Sequence, residues 1–287
     1  VVNAGFKQCS SLTSINMTRV LAVDSAGFDE CSSLLHISMP LVTSVGDYAF
    51  EYCANLTSFN MPVAATVGEY AFRGCTSLTQ VQLPLVTFVG MYGFSGCAEL
   101  TTASIPLLAS VLDKVFQQCS RLTSVNMSLV ASVADNGFDK CTSLTSVDMP
   151  LLKIIGNDVF RECSSLTSVH IPLVTSVGGY AFQSCSSLTS MHMPLLVSMG
   201  DFSFIYCYNM MSFNSSLVTS VGVNSFHSCS SLTTVTMPLV TVVGHGAFML
   251  CSSLTDVFMP LTLRIGSDSF RSCSSLSSFN APDQLLL

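Results

Sequence analysis

Thirteen cysteines stand at one spacing: from Cys9 to Cys273 each lies 22 residues from the next, and none falls outside the series. The same period puts a phenylalanine three residues before every cysteine, Phe6 through Phe270, and a leucine three residues after it, with Met210 the single departure. All ten prolines share one further phase. A chain that repeats at this length builds one structural turn per copy, and each turn buries its apolar face only by stacking on its neighbours. The period therefore predicts one solenoid domain over residues 1–287, of about 13 coils and about 60 Å at the parallel-strand spacing.

The copy CSSLTSVHIPLVTSVGGYAFQS, starting at Cys163, shows how a coil is expected to run. Leu166, Val169 and Ile171 alternate with polar Ser168 and His170, as in a strand with one buried face. Pro172 ends that strand, because proline has no N–H for the ladder. A second short extended piece, VTSVG, follows. The segment after Gly178 opens in other copies with Asp47, Glu69, Asp113, Asp135, Asn157, Asp201 or Ser267, residues that accept the free N–H groups of a helical turn. It is expected to form one turn of 3₁₀ or α-helix carrying Phe182 and Cys185 inward. The fold class is then an α/β repeat, with a parallel β-sheet on one face and short strands and helical turns on the other.

The combined pattern LxxVxIPxxxxVGxxAFxxCxx resembles the BspA-like leucine-rich repeat, over the whole chain and in 13 copies. The resemblance implies a surface or secreted protein that binds other proteins or matrix. One departure from that family's pattern stands out: the residue after the proline is Leu or Val where a polar pair is usual.

Lysine and arginine total 10 against 17 acids, and only 9% of residues are charged. Without a basic run there is no phosphate-neutralising face, which argues against nucleic acid as a partner. No apolar run approaches the ~18 to 20 residues of a membrane span in this segment. The chain opens in mid-motif with VVNAGFKQCSS and closes on APDQLLL without a recognisable cap, and so reads as a fragment of a longer protein.

A column of cysteines has three conceivable uses. A disulfide framework fails on parity and on the parallel Cβ vectors of stacked coils. A zinc site needs ligands around the ion rather than in a line. Small, buried, reduced side chains packed between the phenylalanine and leucine rows remain as the expected role.

Chemistry is sparse elsewhere. Asp148, His170 and His192 occupy one outward strand position in successive coils and form the one candidate metal column, although other coils fill that position with a changing set of polar residues. No P-loop, HExxH, nucleophile elbow or isolated carboxylate pair is present, so neither a catalytic residue nor a cofactor is expected, and the chain reads as a non-enzyme. The acid pairs Asp47 with Glu69 and Asp113 with Asp135 read as turn caps rather than calcium ligands.

Three coils replace the strand-ending proline by Thr18, Ser128 and Ser216, and each has asparagine two positions earlier. The resulting sequons at Asn16, Asn126 and Asn214, with a fourth at Asn55, point to N-glycosylation and hence to an extracellular or cell-surface location.

Two aliphatic rows follow the proline phase. The corner after proline is expected to turn both inward. The competing arrangement leaves one row outside, where Leu129, Leu151, Leu173, Leu195 and Leu217 would line an apolar interface. The sequence thus points to a non-catalytic extracellular or cell-surface scaffold that binds a protein or glycan partner. The alternative is a structural subunit of an extracellular filament or coat, self-associating through apolar surfaces.

Overall fold

A computed structural model of the chain describes residues 1–280; the APDQLLL tail from Ala281, Pro282 included, lies outside the described residues. The chain divides into two compact units, the first Val1–Leu144 and the second beginning at Thr145. Each is a parallel-strand β-solenoid.

In the first unit, three-residue strands such as Ser14–Asn16, His36–Ser38 and Ser58–Asn60 pair parallel at the period of the sequence, Ile15 beside Ile37 beside Phe59. In the second, Ser190–His192, Ser212–Asn214, Thr234–Thr236, Asp256–Phe258 and Ser278–Asn280 form one five-stranded parallel sheet. The central residue of each strand points inward and its neighbours point out, as the alternation requires. Two-residue strands such as Ser44–Val45 and Ser220–Val221 provide the second extended piece.

The segment expected to be helical is not. Among the described residues no helix occurs. Around Phe50, alternate N–H groups go in two directions: Tyr48, Phe50 and Tyr52 donate to the next coil's Glu69, Ala71 and Arg73 carbonyls at 2.8 Å, while Ala49, Glu51 and Cys53 donate to carbonyls three residues back. Tyr48 and Tyr52 hold φ at 57° and 53°, and the equivalent positions are left-handed along the chain. A helix would send every N–H back into its own turn. Splitting them between turn and neighbour satisfies the backbone only by stacking, which is what a repeat offers and an isolated helix lacks. The capping residues change role accordingly. Asp47 accepts the N–H of Glu69 at 2.8 Å, Asn157 that of Gly179 at 2.8 Å and Asp201 that of Val223 at 2.7 Å, so each caps the following coil rather than a turn of its own.

The core is a set of stacked rows. In the first unit the phenylalanine rings from Phe6 to Phe138 lie nearly parallel with centroids 5.0–5.7 Å apart, and in the second those from Phe160 to Phe270 sit at 5.2–5.3 Å. Beside them runs the cysteine row, reduced and buried from Cys31 to Cys251, with Cys9 exposed and Cys273 half-buried. The thiol does more than fill space. The Phe50 carbonyl already accepts the Cys53 N–H at 3.2 Å, and the Cys75 Sγ–H donates to the same oxygen, also at 3.2 Å. The link recurs in both units, for example Cys119 to Phe94 and Cys207 to Phe182. Each of these thiols thus occupies the second lone pair of a buried carbonyl one coil away.

Hydroxyl rows do similar work at the surface. Thr57, Thr79, Thr101 and Thr123 each donate to the carbonyl of the equivalent residue one coil earlier, at 2.9–3.4 Å. This is why a chain so poor in charge is so rich in Ser and Thr: the repeat exposes the same carbonyl once per coil, and a hydroxyl satisfies it.

Candidate functional site

The corner after the proline is a β-turn. Val42 N–H donates to the Met39 carbonyl at 3.1 Å, with Pro40 and Leu41 at the two tip positions. Proline suits the first tip position because its fixed φ matches the turn. The second tip position points away from the core, and the residue after it returns inward. The two aliphatic rows therefore part company: Val42, Val86, Leu108, Val130, Leu152, Val174, Leu196 and Val240 are fully buried, whereas the row one residue earlier faces out. The expectation that the corner turns both rows inward is overturned.

In the first unit Leu41, Leu85, Leu107 and Leu129 are 41–49% exposed; in the second Leu151, Leu195, Leu217, Leu239 and Leu261 are 37–49% exposed. Leu173, placed in the same row by the sequence, is half-buried, as is Val63. Each unit thus carries a ridge of leucine side chains spaced at the strand repeat, and contiguous apolar surface of this kind marks interaction sites in soluble proteins.

The strand face beside the ridge is polar. Asn16, Asn126 and Asn214 lie there, exposed, at the last residue of their strands, and Asn55 is exposed just after Cys53. Their partner hydroxyls Thr18, Ser128 and Ser216 are exposed as well. The Thr18 and Ser128 coils keep the turn bond, Val20 to Met17 at 3.4 Å and Val130 to Met127 at 3.2 Å. In the Ser216 coil the residue before it, Ser215, is buried and donates to the Leu196 carbonyl at 3.3 Å. The Thr18 and Ser128 turns therefore hold without proline, while the Ser216 segment is an open bend.

Asp148 and His170 are direct parallel partners, while His192 lies on a different sheet, where its partner is Asn214. Both histidines are exposed, and among the described residues no three His, Cys, Asp or Glu side chains are placed to hold a metal ion. The buried thiols are poor nucleophiles and poor ligands. Burial pushes Cys119 and Cys207 up to about 12 from 9.0, and Cys97, Cys185 and Cys229 well above 9.0, so at neutral pH they are thiols.

The model of the BspA type leucine-rich repeat region matches the sequence in successive overlapping stretches, 1–123, 43–152, 131–253 and 175–286. The chain belongs to the BspA-type leucine-rich repeat family. Its fold is similar to that of a leucine-rich repeat protein from Bacteroides ovatus, with a TM-score of 0.74, 24% identity, and coverage of 96% of this chain and 82% of that one. It is also similar to a leucine-rich cell surface protein from Faecalibacterium prausnitzii, with a TM-score of 0.58, 24% identity, and coverage of 94% and 88%. No curated protein matches the sequence. No helix of the described residues is long and apolar enough to cross a membrane.

One feature of this BspA-type chain escaped the reading of the sequence. In the first unit, three successive left-handed turn positions carry tyrosine. Tyr48, Tyr70 and Tyr92 stack with centroids 5.0 and 4.5 Å apart. The Arg73 guanidinium lies 5.4 Å from the ring centres of both Tyr52 and Tyr70, and Lys114 Nζ donates to the Tyr92 hydroxyl at 2.8 Å. The signal was available, since these tyrosines are 22 residues apart. The row lasts only three coils, so it leaves no pattern along the full length of the chain.

Proposed function

We propose that the chain is a non-catalytic extracellular or cell-surface leucine-rich-repeat scaffold that binds a protein partner along its leucine ridge. The observation that carries this reading is the outward row at the second tip position of the post-proline turns, with nine leucines 37–49% exposed beside a fully buried aliphatic row. Solvent-facing leucine at one position per coil contributes little to the fold, and it is the apolar centre that a protein interface requires. An extracellular or surface setting agrees with exposed sequons at Asn16, Asn55, Asn126 and Asn214, and with the description of the similar Faecalibacterium prausnitzii protein as a cell surface protein. Glycopeptide mapping of native material is expected to find these asparagines occupied; four bare sites would remove the glycosylation and the secretory route with it.

A second reading is a structural subunit of a filament or coat. The same ridge favours it, because a row repeating at one fixed spacing offers a second copy of the chain the same spacing to pack against. One experiment separates the two. A photo-crosslinking residue placed at Leu195, on native cells or matrix, should join the chain to one different protein if it is a binding scaffold, and to copies of itself if it is a filament subunit. A crosslinker at Ser190 on the strand face serves as the control. Adducts no more frequent at Leu195 than at Ser190 would sink the ridge as an interface in either form.

A further inference from the structure

The position just before each cysteine is left-handed along the chain, and eleven coils fill it with a residue bearing a side chain, among them Gln8, Glu30, Gln118 and Lys140. Two adjacent coils do not. Gly74 and Gly96 hold the same conformation, with φ at 69° and 73°, and open a notch between Tyr52 on one side and Gln118 on the other. The notch is a cleft of about 470 Å³. That lies within the range of about 300–1,000 Å³ usual for small-molecule sites.

The two glycines are there for different reasons. A Cβ on Gly74 would lie 2.5 Å from Cδ1 of Tyr52, so the Tyr52 ring rests where that side chain would stand. A Cβ on Gly96 would meet nothing closer than the Gly74 backbone nitrogen at 3.7 Å, an ordinary contact. Neither packing nor φ demands glycine there, since eleven equivalent residues accept the same conformation. What glycine at 96 does is keep the notch open.

The lining is as particular as the shape. No aliphatic side chain faces the cleft, so it lacks the apolar pocket that a peptide anchor would need. It offers instead two aromatic residues, Tyr52 and Tyr92, the Arg73 guanidinium, and the uncharged hydrogen-bonding groups of Thr76, Ser95, Gln117 and Gln118. The Gln117 amide nitrogen is held by the Asp139 carboxylate at 3.1 Å, which fixes the amide and leaves its oxygen as an acceptor. Thr76 gives its hydroxyl proton to the Ala54 carbonyl at 3.1 Å and presents lone pairs. Arg73 is matched by Glu51 at 3.2 Å, so its charge is balanced while its remaining N–H groups can still donate.

We propose that this notch is a binding subsite for a neutral pyranose unit of a glycan. The weakly positive C–H face of the sugar ring stacks on the negative π face of Tyr52, and its hydroxyls bond to Gln117, Gln118 and the free N–H groups of Arg73. The site stands on residues outside the leucine ridge and does not depend on the protein-binding reading.

The test uses the whole chain with lactose, maltose, mannobiose and chitobiose as neutral probes and sialyllactose as an acidic one, read by saturation-transfer NMR and calorimetry. At least one neutral disaccharide should bind with a dissociation constant on the order of 1 mM. Tyr52→Ala should weaken it tenfold or more. Gly96→Gln, which places in the notch the residue that position 118 already carries in the same backbone conformation, should abolish binding while lowering the melting temperature by no more than a few degrees. Undiminished binding by a normally melting Gly96→Gln protein, silence from every neutral probe, or binding of sialyllactose alone would each overturn the proposal. The leucine ridge would stand under all three results.

Discussion

Two regions of each coil are equally regular in sequence and opposite in fate. The turn from phenylalanine to cysteine and the turn after proline both repeat at 22 residues with scarcely a departure. The first turns its repeated side chains inside: Phe116 and Cys119 are inaccessible to solvent, and the Phe116 N–H and the Cys119 thiol donate to neighbouring coils. The second puts an equally apolar residue, Leu107 in that coil, at a tip position where it is 41% exposed. Regularity records that a position is the same in every coil, not that it is buried. What distinguishes the two is where the backbone donors go, and hydrophobicity does not reveal that.

This contrast can be broken most forcefully from the inside. Phe116→Ala removes a ring stacked on Phe94 at 5.7 Å and Phe138 at 5.3 Å, and should cost about 3–5 kcal/mol in denaturant unfolding. A cost near zero would mean that the phenylalanine stack does not hold the coils together. Cys119→Ala removes the donor to the Phe94 carbonyl and a small amount of packing, and should cost about 1 kcal/mol. Thr101→Val removes a hydroxyl donor to the Thr79 carbonyl at the surface, 2.9 Å away, where water substitutes, and should cost well under about 1 kcal/mol by the same assay.

The cysteine row also sets a pH limit. Burial raises the Cys31 and Cys273 thiols to about 11 and those of Cys119 and Cys207 to about 12, against 9.0 when exposed. A raised folded-state value means that the native protein holds these protons where the unfolded chain releases them. The stabilisation is therefore complete below pH 9 and is lost as pH rises through 11 to 12. Chemical denaturation followed from pH 8 to 11 should show stability level at first and then falling. In the native protein at pH 8, a thiol reagent should modify Cys9, and Cys273 more slowly, while Cys75 through Cys229 wait for unfolding. Rapid labelling of the central thiols would contradict the buried row.

Much of the fold is legible in the sequence because a repeat states its own register. The spacing of Cys9 to Cys273 gives parallel pairing at an offset of one period, and the alternation around Val169 gives the strand and its inward residue. Three things were not legible. The stretch from Gly178 to Cys185 has the composition of a capped helical turn, but stacked coils offer every second N–H a partner in the next coil, a choice no local pattern encodes. The pattern after proline admits both aliphatic rows inside or the row of Leu151 and Leu195 outside, and only the turn bond from Leu152 to Met149 puts the first of the two residues at an outward tip. The notch at Gly74 and Gly96 was invisible because two missing side chains leave no motif.

Two adjacent aliphatic residues after the proline face opposite ways, and matched substitutions in the two rows test this. Leu151→Asp, Leu195→Asp and Leu239→Asp together change the exposed row, and Leu152→Asp, Leu196→Asp and Val240→Asp together change the buried one. Circular dichroism melting of the two triple variants should find the first within a few degrees of the parent and the second unfolded, since unpaired buried carboxylates cannot be accommodated. If both triple variants unfold, the leucine row is core and no ridge exists.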